Sequence, residues 1–162
     1  IIPFLLIYLS VYDQTPLLLN IGPEILTLTI KWSVILPVAL VCVPTMLCIA
    51  NIMLANNICD VEDDIENKRF TLPIMIGRPK ALLLYDALYL LCLLDIILCV
   101  VLGYLPLLSL ITLVSFIKVA QNLKAFHRLQ TKKDTFALAV MNLVLIAAPL
   151  IVSILISYLL KI

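Results

Sequence analysis

The chain has 162 residues, 64% of them hydrophobic and 13% charged, with a formal net charge of +1 and a mean hydropathy of +1.21. Soluble domains are roughly 45–50% apolar and about 25% charged, and a fold of this size has too little interior for so much apolar surface. A water-soluble globule is therefore excluded, and so is a nucleic-acid partner, because no basic stripe with interleaved aromatics appears.

The run from Ile1 to about Val11 is apolar but too short to cross a bilayer, which takes roughly 20 residues. It reads as the tail of a helix. With no Met or basic leader before it, the chain is expected to be an N-terminally truncated fragment, 1–162 forming one transmembrane domain. Leu17 to Ile30 carries Gly22, Pro23 and Glu24, which suits a surface segment or a short interfacial helix. Lys31 and Trp32 are headgroup-boundary residues.

A long span follows from Ser33 to Ala55, with Pro37 and Pro44 inside it, and is expected to continue through Asp60. Residues 56–80 form a polar, aspartate-rich loop ending at Gly77-Arg78-Pro79. Further spans are expected at Ala81–Leu102, at Leu107 to about Gln121, and at Phe136–Leu160. The connections are a tight turn at Gly103–Pro106 and a basic loop over 122–134. The fold class is all-α, a multi-span transmembrane helix bundle of about four to five helices. Four of the five cysteines lie in apolar runs and none forms a CxxC pair, so they read as small buried hydrophobes.

Nine of the eleven basic residues fall into two stretches: Lys68, Arg69, Arg78 and Lys80, then Lys118, Lys124, Arg128, Lys132 and Lys133. Threading the spans puts both on one side of the bilayer, which the preference of basic loops for the inside makes the cytoplasm. An integral membrane protein is expected, most simply of a bacterial cell membrane.

The chemistry concentrates in Asn56-Asn57-Ile58-Cys59-Asp60-Val61-Glu62-Asp63-Asp64-Ile65-Glu66-Asn67-Lys68-Arg69, where five of the ten acids lie within seven positions. Asn56, Asp60, Asp64 and Lys68 are each four apart, so on a helix they stack along one face. Two carboxylates and an amide oxygen suit a hard cation such as Mg²⁺, which typically takes one or two protein carboxylates plus phosphate oxygens. Lys68 and Arg69 can meet phosphate directly. The plain alternative is a solvated acidic loop that ends a helix. The ladder, the double Asn and the basic pair at a membrane edge weigh against it.

This run, with Leu54-Ala55 before it and Thr71-Leu72 and Ile76-Gly77-Arg78 after it, resembles the second aspartate-rich motif of UbiA-superfamily membrane prenyltransferases. The double Asn and the Thr-Leu with a following Gly look most like the MenA type, 1,4-dihydroxy-2-naphthoate polyprenyltransferase. The resemblance implies a fold of nine transmembrane helices, of which this chain would be the C-terminal part. Two aspartate-rich motifs would hold Mg²⁺ and a polyprenyl diphosphate between them. It makes Asp60, Asp64 and Asn56 metal ligands, and Lys68, Arg69 and Asn57 diphosphate contacts, with Glu62, Asp63 and Asn51 as further candidates. Cys59 stands where that type usually has Arg, Lys68 where Gly is usual, Phe70 where a polar residue is common, and Glu62 where Asp is usual.

No motif of NDxxDxxxD form occurs in these residues, so a missing N-terminal half is expected as a partner, and the chain alone is expected to be inactive. The implied reaction is Mg²⁺-dependent transfer of a polyprenyl group to an aromatic acceptor, in menaquinone biosynthesis. Alternatives are another acceptor, such as 4-hydroxybenzoate or a haem or chlorophyll precursor, or a transporter with an acidic cation site.

Elsewhere, Asp95 lies mid-span and is expected to be a hydrogen-bonded acid facing the bundle, and Asp86 a boundary residue. Asn51 suits either the acceptor pocket or an interhelical hydrogen bond. His127, the sole histidine, is expected to be solvated or near phosphate. Lys118 and Asn122 are expected near the mouth. Lys124, Arg128, Lys132 and Lys133 are expected to serve topology and anionic-lipid contacts, and Asp134 to start the last helix.

Overall fold

A computed structural model describes Leu9 and residues 11–161. The helix tail expected over Ile1 to Val11 therefore lies almost wholly outside the described residues. Six α-helices follow a short hairpin: α1 Trp32–Cys59, α2 Val61–Glu66, α3 Leu72–Ile76, α4 Arg78–Val101, α5 Thr112–Arg128 and α6 Phe136–Leu160. A 3-10 turn, Leu107–Ile111, leads straight into α5. Four helical stretches are long and apolar enough to cross a membrane: α1, α4, the 3-10 turn with α5, and α6. The bundle is all-α and multi-span, as the composition requires.

Helices α1, α4 and α6 are apolar around nearly their whole circumference, as expected where one side meets lipid and the other meets protein. Their mutual contacts use small residues that let backbones approach, including Cys48 and Ala55 on α1, Ala81 and Cys92 on α4 and Ala139 on α6. Larger side chains fill the centre. The buried Tyr85 ring stands edge-on to Tyr89, centroids 5.2 Å apart, and packs at 4.8 Å on Phe126. Helix α1 packs most extensively on α4 and also on α6, and α6 packs on α5. Helices α4 and α5 meet only briefly.

Buried polar groups tie the spans together. Asn122 Nδ2 donates to Asn142 Oδ1 at 2.7 Å, joining α5 to α6. Ser109 and Ser153 share a 2.9 Å hydrogen bond. Pro37, Pro44 and Pro149 all lie inside continuous helices.

Three expectations are corrected. Leu17–Ile21 and Leu26–Ile30 are antiparallel strands β1 and β2, in register from Leu17 opposite Ile30 to Ile21 opposite Leu26. Leu26-Thr27-Leu28-Thr29-Ile30 alternates with a period of two, a strand pattern that a helix cannot use. Helix α1 stops at Cys59 rather than continuing through Asp60. Helix α5 runs on to Arg128 instead of ending near Gln121, because its buried face, with Val119, Asn122 and Phe126, continues past the first polar residues. Lys118 consequently lies well inside the span, and Asn122 is buried against α6, so neither sits at the helix end.

Candidate functional site

The acidic cluster lies where α1 gives way to α2, at one end of the bundle. Asp60 forms the junction, with φ −97° and ψ 7°. The four-residue spacing survives the break: the Asp60 N–H donates to the Asn56 carbonyl at 3.1 Å, and the Asp64 N–H to the Asp60 carbonyl at 2.8 Å. Asn56 Nδ2 also donates to Asp60 Oδ2 at 3.3 Å. Backbone hydrogen bonds thus keep Asn56, Asp60 and Asp64 in helical succession across the junction of the two helices. Asp64 is buried and Asp60 half-buried, while Glu62 and Asp63 are exposed.

Helix α2 ends in a Schellman turn. The Arg69 N–H donates to the Asp64 carbonyl at 2.8 Å and the Lys68 N–H to the Ile65 carbonyl at 3.1 Å. Such a turn needs a left-handed residue at its pivot, and Lys68 takes it with φ +55°. The same motif closes α4, where Gly103 is the pivot at φ +74°. The turn also points Arg69 back along α2, leaving Arg69 Nη1 3.7 Å from Asp64 Oδ1. Ladder, turn and basic residue are one local construction.

Two distant residues complete the end of the bundle. Lys132, in the connection from α5 to α6, places Nζ 2.6 Å from Asp60 Oδ2. That pair raises the Lys132 pKa from its ordinary value, chiefly through the hydrogen bond to Asp60. Arg78, at the start of α4, brings Nη2 to 2.7 Å from both oxygens of Glu62. The hydrogen bond from Arg78 holds the Glu62 carboxyl below its ordinary range. Both polar loops therefore meet at the same end, as the threading of the spans requires. Neither Lys132 nor Arg78 is marked by spacing as a partner of the ladder; only folding brings them there.

The remaining candidates scatter. Asn57 is half-buried beside the ladder, and Lys68 is exposed. Asn51 is fully buried one level deeper and donates through Nδ2 to the Tyr85 carbonyl on α4 at 3.2 Å, an interhelical bond. Asp95 is buried, with Cys99 Sγ donating to it at 3.8 Å. His127 pairs with Asp86, its Nε2 2.9 Å from Oδ2, rather than standing alone in solvent. Asp134 accepts from the Thr131 hydroxyl at 2.8 Å, bracing the turn before α6.

Among the described residues no three His, Cys, Asp or Glu side chains converge as a metal cage. Mg²⁺ does not demand one. It keeps waters and phosphate oxygens in its shell and is commonly held by one or two carboxylates. The Asp60 and Asp64 carboxylates with the Asn56 amide match that donor set. Thr71 Oγ1 and Arg78 Nε, just beyond the ladder, are buried with no hydrogen-bond partner among the described residues, which fits a polar ligand at this end.

No curated protein and no solved structure matches the chain. The family model described as the UbiA prenyltransferase family matches residues 3–146. With the helix bundle, the polar end and that match over most of its length, the chain belongs to the UbiA prenyltransferase family.

Proposed function

We propose that this chain carries the second aspartate-rich half of the site of a Mg²⁺-dependent aromatic polyprenyltransferase of the MenA type. It would transfer a polyprenyl group from its diphosphate to 1,4-dihydroxy-2-naphthoate, in the menaquinone branch of quinone synthesis. The observation that carries this reading is the Asn56–Asp60–Asp64 ladder at one end of a membrane bundle, within a match to the prenyltransferase family. The acceptor assignment rests on the double Asn56-Asn57 and on Thr71-Leu72 with Gly77.

Asp60 and Asp64, with the Asn56 amide oxygen, would hold the cation, which supplies charge neutralisation as the allylic C–O bond breaks. The residues' own roles follow from their present contacts. Asn56 orients the Asp60 carboxylate by its 3.3 Å hydrogen bond. Lys132 occupies Asp60 at 2.6 Å and is placed to turn to a phosphate oxygen. Arg69, 73% exposed and only loosely held on Asp64, is free to pivot outward to diphosphate, with Lys68 and Asn57 beside it. The apolar spans exclude water, which would otherwise capture the prenyl cation. A second aspartate-rich cluster is needed on the far side of the diphosphate, and these 162 residues contain none of that form, so this stretch does not turn over alone. The clustered basic residues at the ladder end favour a cytoplasmic side for it, and on this reading the membrane is a bacterial cell membrane.

The test uses the complete gene product that carries this sequence, purified in detergent. It is offered a polyprenyl diphosphate with 1,4-dihydroxy-2-naphthoate or 4-hydroxybenzoate, with Mg²⁺ or with a chelator. Prenylated naphthoate formed only with Mg²⁺ is expected. Product from 4-hydroxybenzoate alone would overturn the acceptor, and full activity with the chelator would overturn the metal ladder.

A further inference from the structure

The backbones of helices α4 and α5 approach each other only briefly; their side chains meet at Tyr85–Phe126 and Asp86–His127, and both helices line a groove between them. Its upper part, about 500 Å³, is lined by Asp86, Lys124, His127 and Arg128. A second cavity of about 230 Å³ shares Asp86, Ala120 and Leu123 with it and continues along Leu90, Leu93 and Phe116. Asp86 to Leu93 is seven residues, so the apolar part runs about 10 Å down the helices. A charged mouth at the end of a span thus opens onto a hydrocarbon-lined slot.

The charges at the mouth do not cancel. Asp86 is engaged by His127 at 2.9 Å, which leaves Lys124 and Arg128 as cations without a carboxylate partner within 4 Å among the described residues. A slot of this shape has room for the upper part of an acyl chain, and its mouth calls for a phosphate. Basic pockets between transmembrane helices bind anionic headgroups for this reason. Zwitterionic lipid brings a cation of its own to a mouth that already holds Lys124 and Arg128. We propose that the α4–α5 groove is a binding site for an anionic phospholipid of the surrounding leaflet, the headgroup on Lys124 and Arg128 and a chain along Leu90 and Phe116. The His127–Asp86 pair braces the mouth across the two helices.

Native mass spectrometry of the complete gene product in detergent tests this, with phosphatidylglycerol and phosphatidylcholine of the same chains titrated in parallel. Each membrane-surface cation favours anionic lipid by about fivefold, so a preference of at least about tenfold for phosphatidylglycerol is expected. Lys124→Gln with Arg128→Gln should reduce it below about twofold. Leu90→Trp, at a position already 58% exposed, fills the slot without touching the mouth and should weaken both lipids. If the double variant does not fold, Lys124→Glu read by the same titration takes its place. An unchanged preference in the charge variants, or unchanged binding in Leu90→Trp, overturns the proposal. So does displacement of the lipid by millimolar inorganic phosphate, which would mark a bare anion site. Displacement by stoichiometric polyprenyl diphosphate would give the groove to the substrate and likewise overturn it.

Discussion

Lys132 Nζ lies 2.6 Å from Asp60 Oδ2, so the connection between the last two spans is fastened to the central carboxylate of the ladder. The pair does two things. It neutralises an acid that is only 14% exposed, and it holds the α5–α6 loop over the end of α1. Because Asp60 raises the Lys132 pKa, the stability that the pair adds is fully present below the ordinary lysine value, and it is lost only as the pH rises through the raised one. The pair is thus intact at neutral pH, and any cation arriving at Asp60 must displace an ammonium.

Lys132→Gln removes that competitor. The variant is expected to bind Mn²⁺, used as a spectroscopic substitute for Mg²⁺, severalfold more tightly in the absence of diphosphate. Electron paramagnetic resonance titration measures it. If Lys132 turns to phosphate during turnover, the same variant shows a raised KM for prenyl diphosphate. Unchanged affinity for both Mn²⁺ and diphosphate would mean that the pair serves the loop alone.

Asp60→Asn and Asp64→Asn should each lower kcat/KM by at least about a hundredfold, the scale on which lost charge stabilisation in the transition state is felt. Asp63→Asn is the control. Asp63 is exposed, and it is its backbone carbonyl, not its carboxylate, that accepts the Asn67 side chain at 2.8 Å. Its replacement should leave kcat/KM within about twofold, as surface substitutions away from packed or paired groups usually do. Equal losses at all three positions would reduce the ladder to a general acidic field.

Lys68→Gly bears on the left-handed pivot. A non-glycine residue in that conformation costs roughly 1–2 kcal/mol, while glycine loses about 0.5–1 kcal/mol more entropy on folding. The difference leaves a net gain of about 0.5–1 kcal/mol for glycine at φ +55°. Thermal unfolding in detergent should rise accordingly. A fall would show that the Lys68 side chain contributes more than its backbone costs.

How much of this was readable beforehand follows from which forces act locally. The spans were legible because a membrane imposes one long apolar run per crossing, and Phe136–Leu160 matched to the residue. The ladder was legible because its spacing of four is a local helical property. The Schellman turn was half legible: a lysine where glycine is usual marked the position, but only the backbone angle explains why glycine belongs there. The partners Lys132 and Arg78 were not legible, since their ion pairs depend on how α1, α4 and α6 pack. Leu17–Ile30 is the surface segment expected, but its strands escape the reading because Gly22-Pro23 draws attention to a break, while the alternation in Leu26–Ile30 on its far side is the stronger signal.

The Glu62–Arg78 pair should make the α2–α4 corner acid-sensitive. Arg78 lowers the Glu62 pKa, so the pair's contribution is complete above the ordinary glutamate value near 4.5 and is lost as the pH falls through the lowered one. Glu62→Gln should therefore speed hydrogen exchange in α2 and the first turn of α4 at neutral pH. It should make no difference at a pH well below that range, where wild-type Glu62 is itself protonated. A difference that persists at low pH would point to packing rather than charge.

The Asn122–Asn142 bond is the clearest polar tie between spans, with both side chains buried and 2.7 Å apart. Interhelical hydrogen bonds in membranes are worth about 0.6 kcal/mol on average and up to about 1.7 kcal/mol. Removing one partner also strands the other, which adds the desolvation cost of an unpaired amide, about 1–3 kcal/mol. Asn122→Leu or Asn142→Leu alone should therefore destabilise the bundle by about 1–3 kcal/mol, whereas the double variant should cost markedly less than the sum. A double-mutant cycle read by unfolding in mixed detergent measures that coupling. Strict additivity would show that the two amides are held by other partners, and that α5 and α6 owe their register to packing around Val119, Phe126 and Ala139 alone.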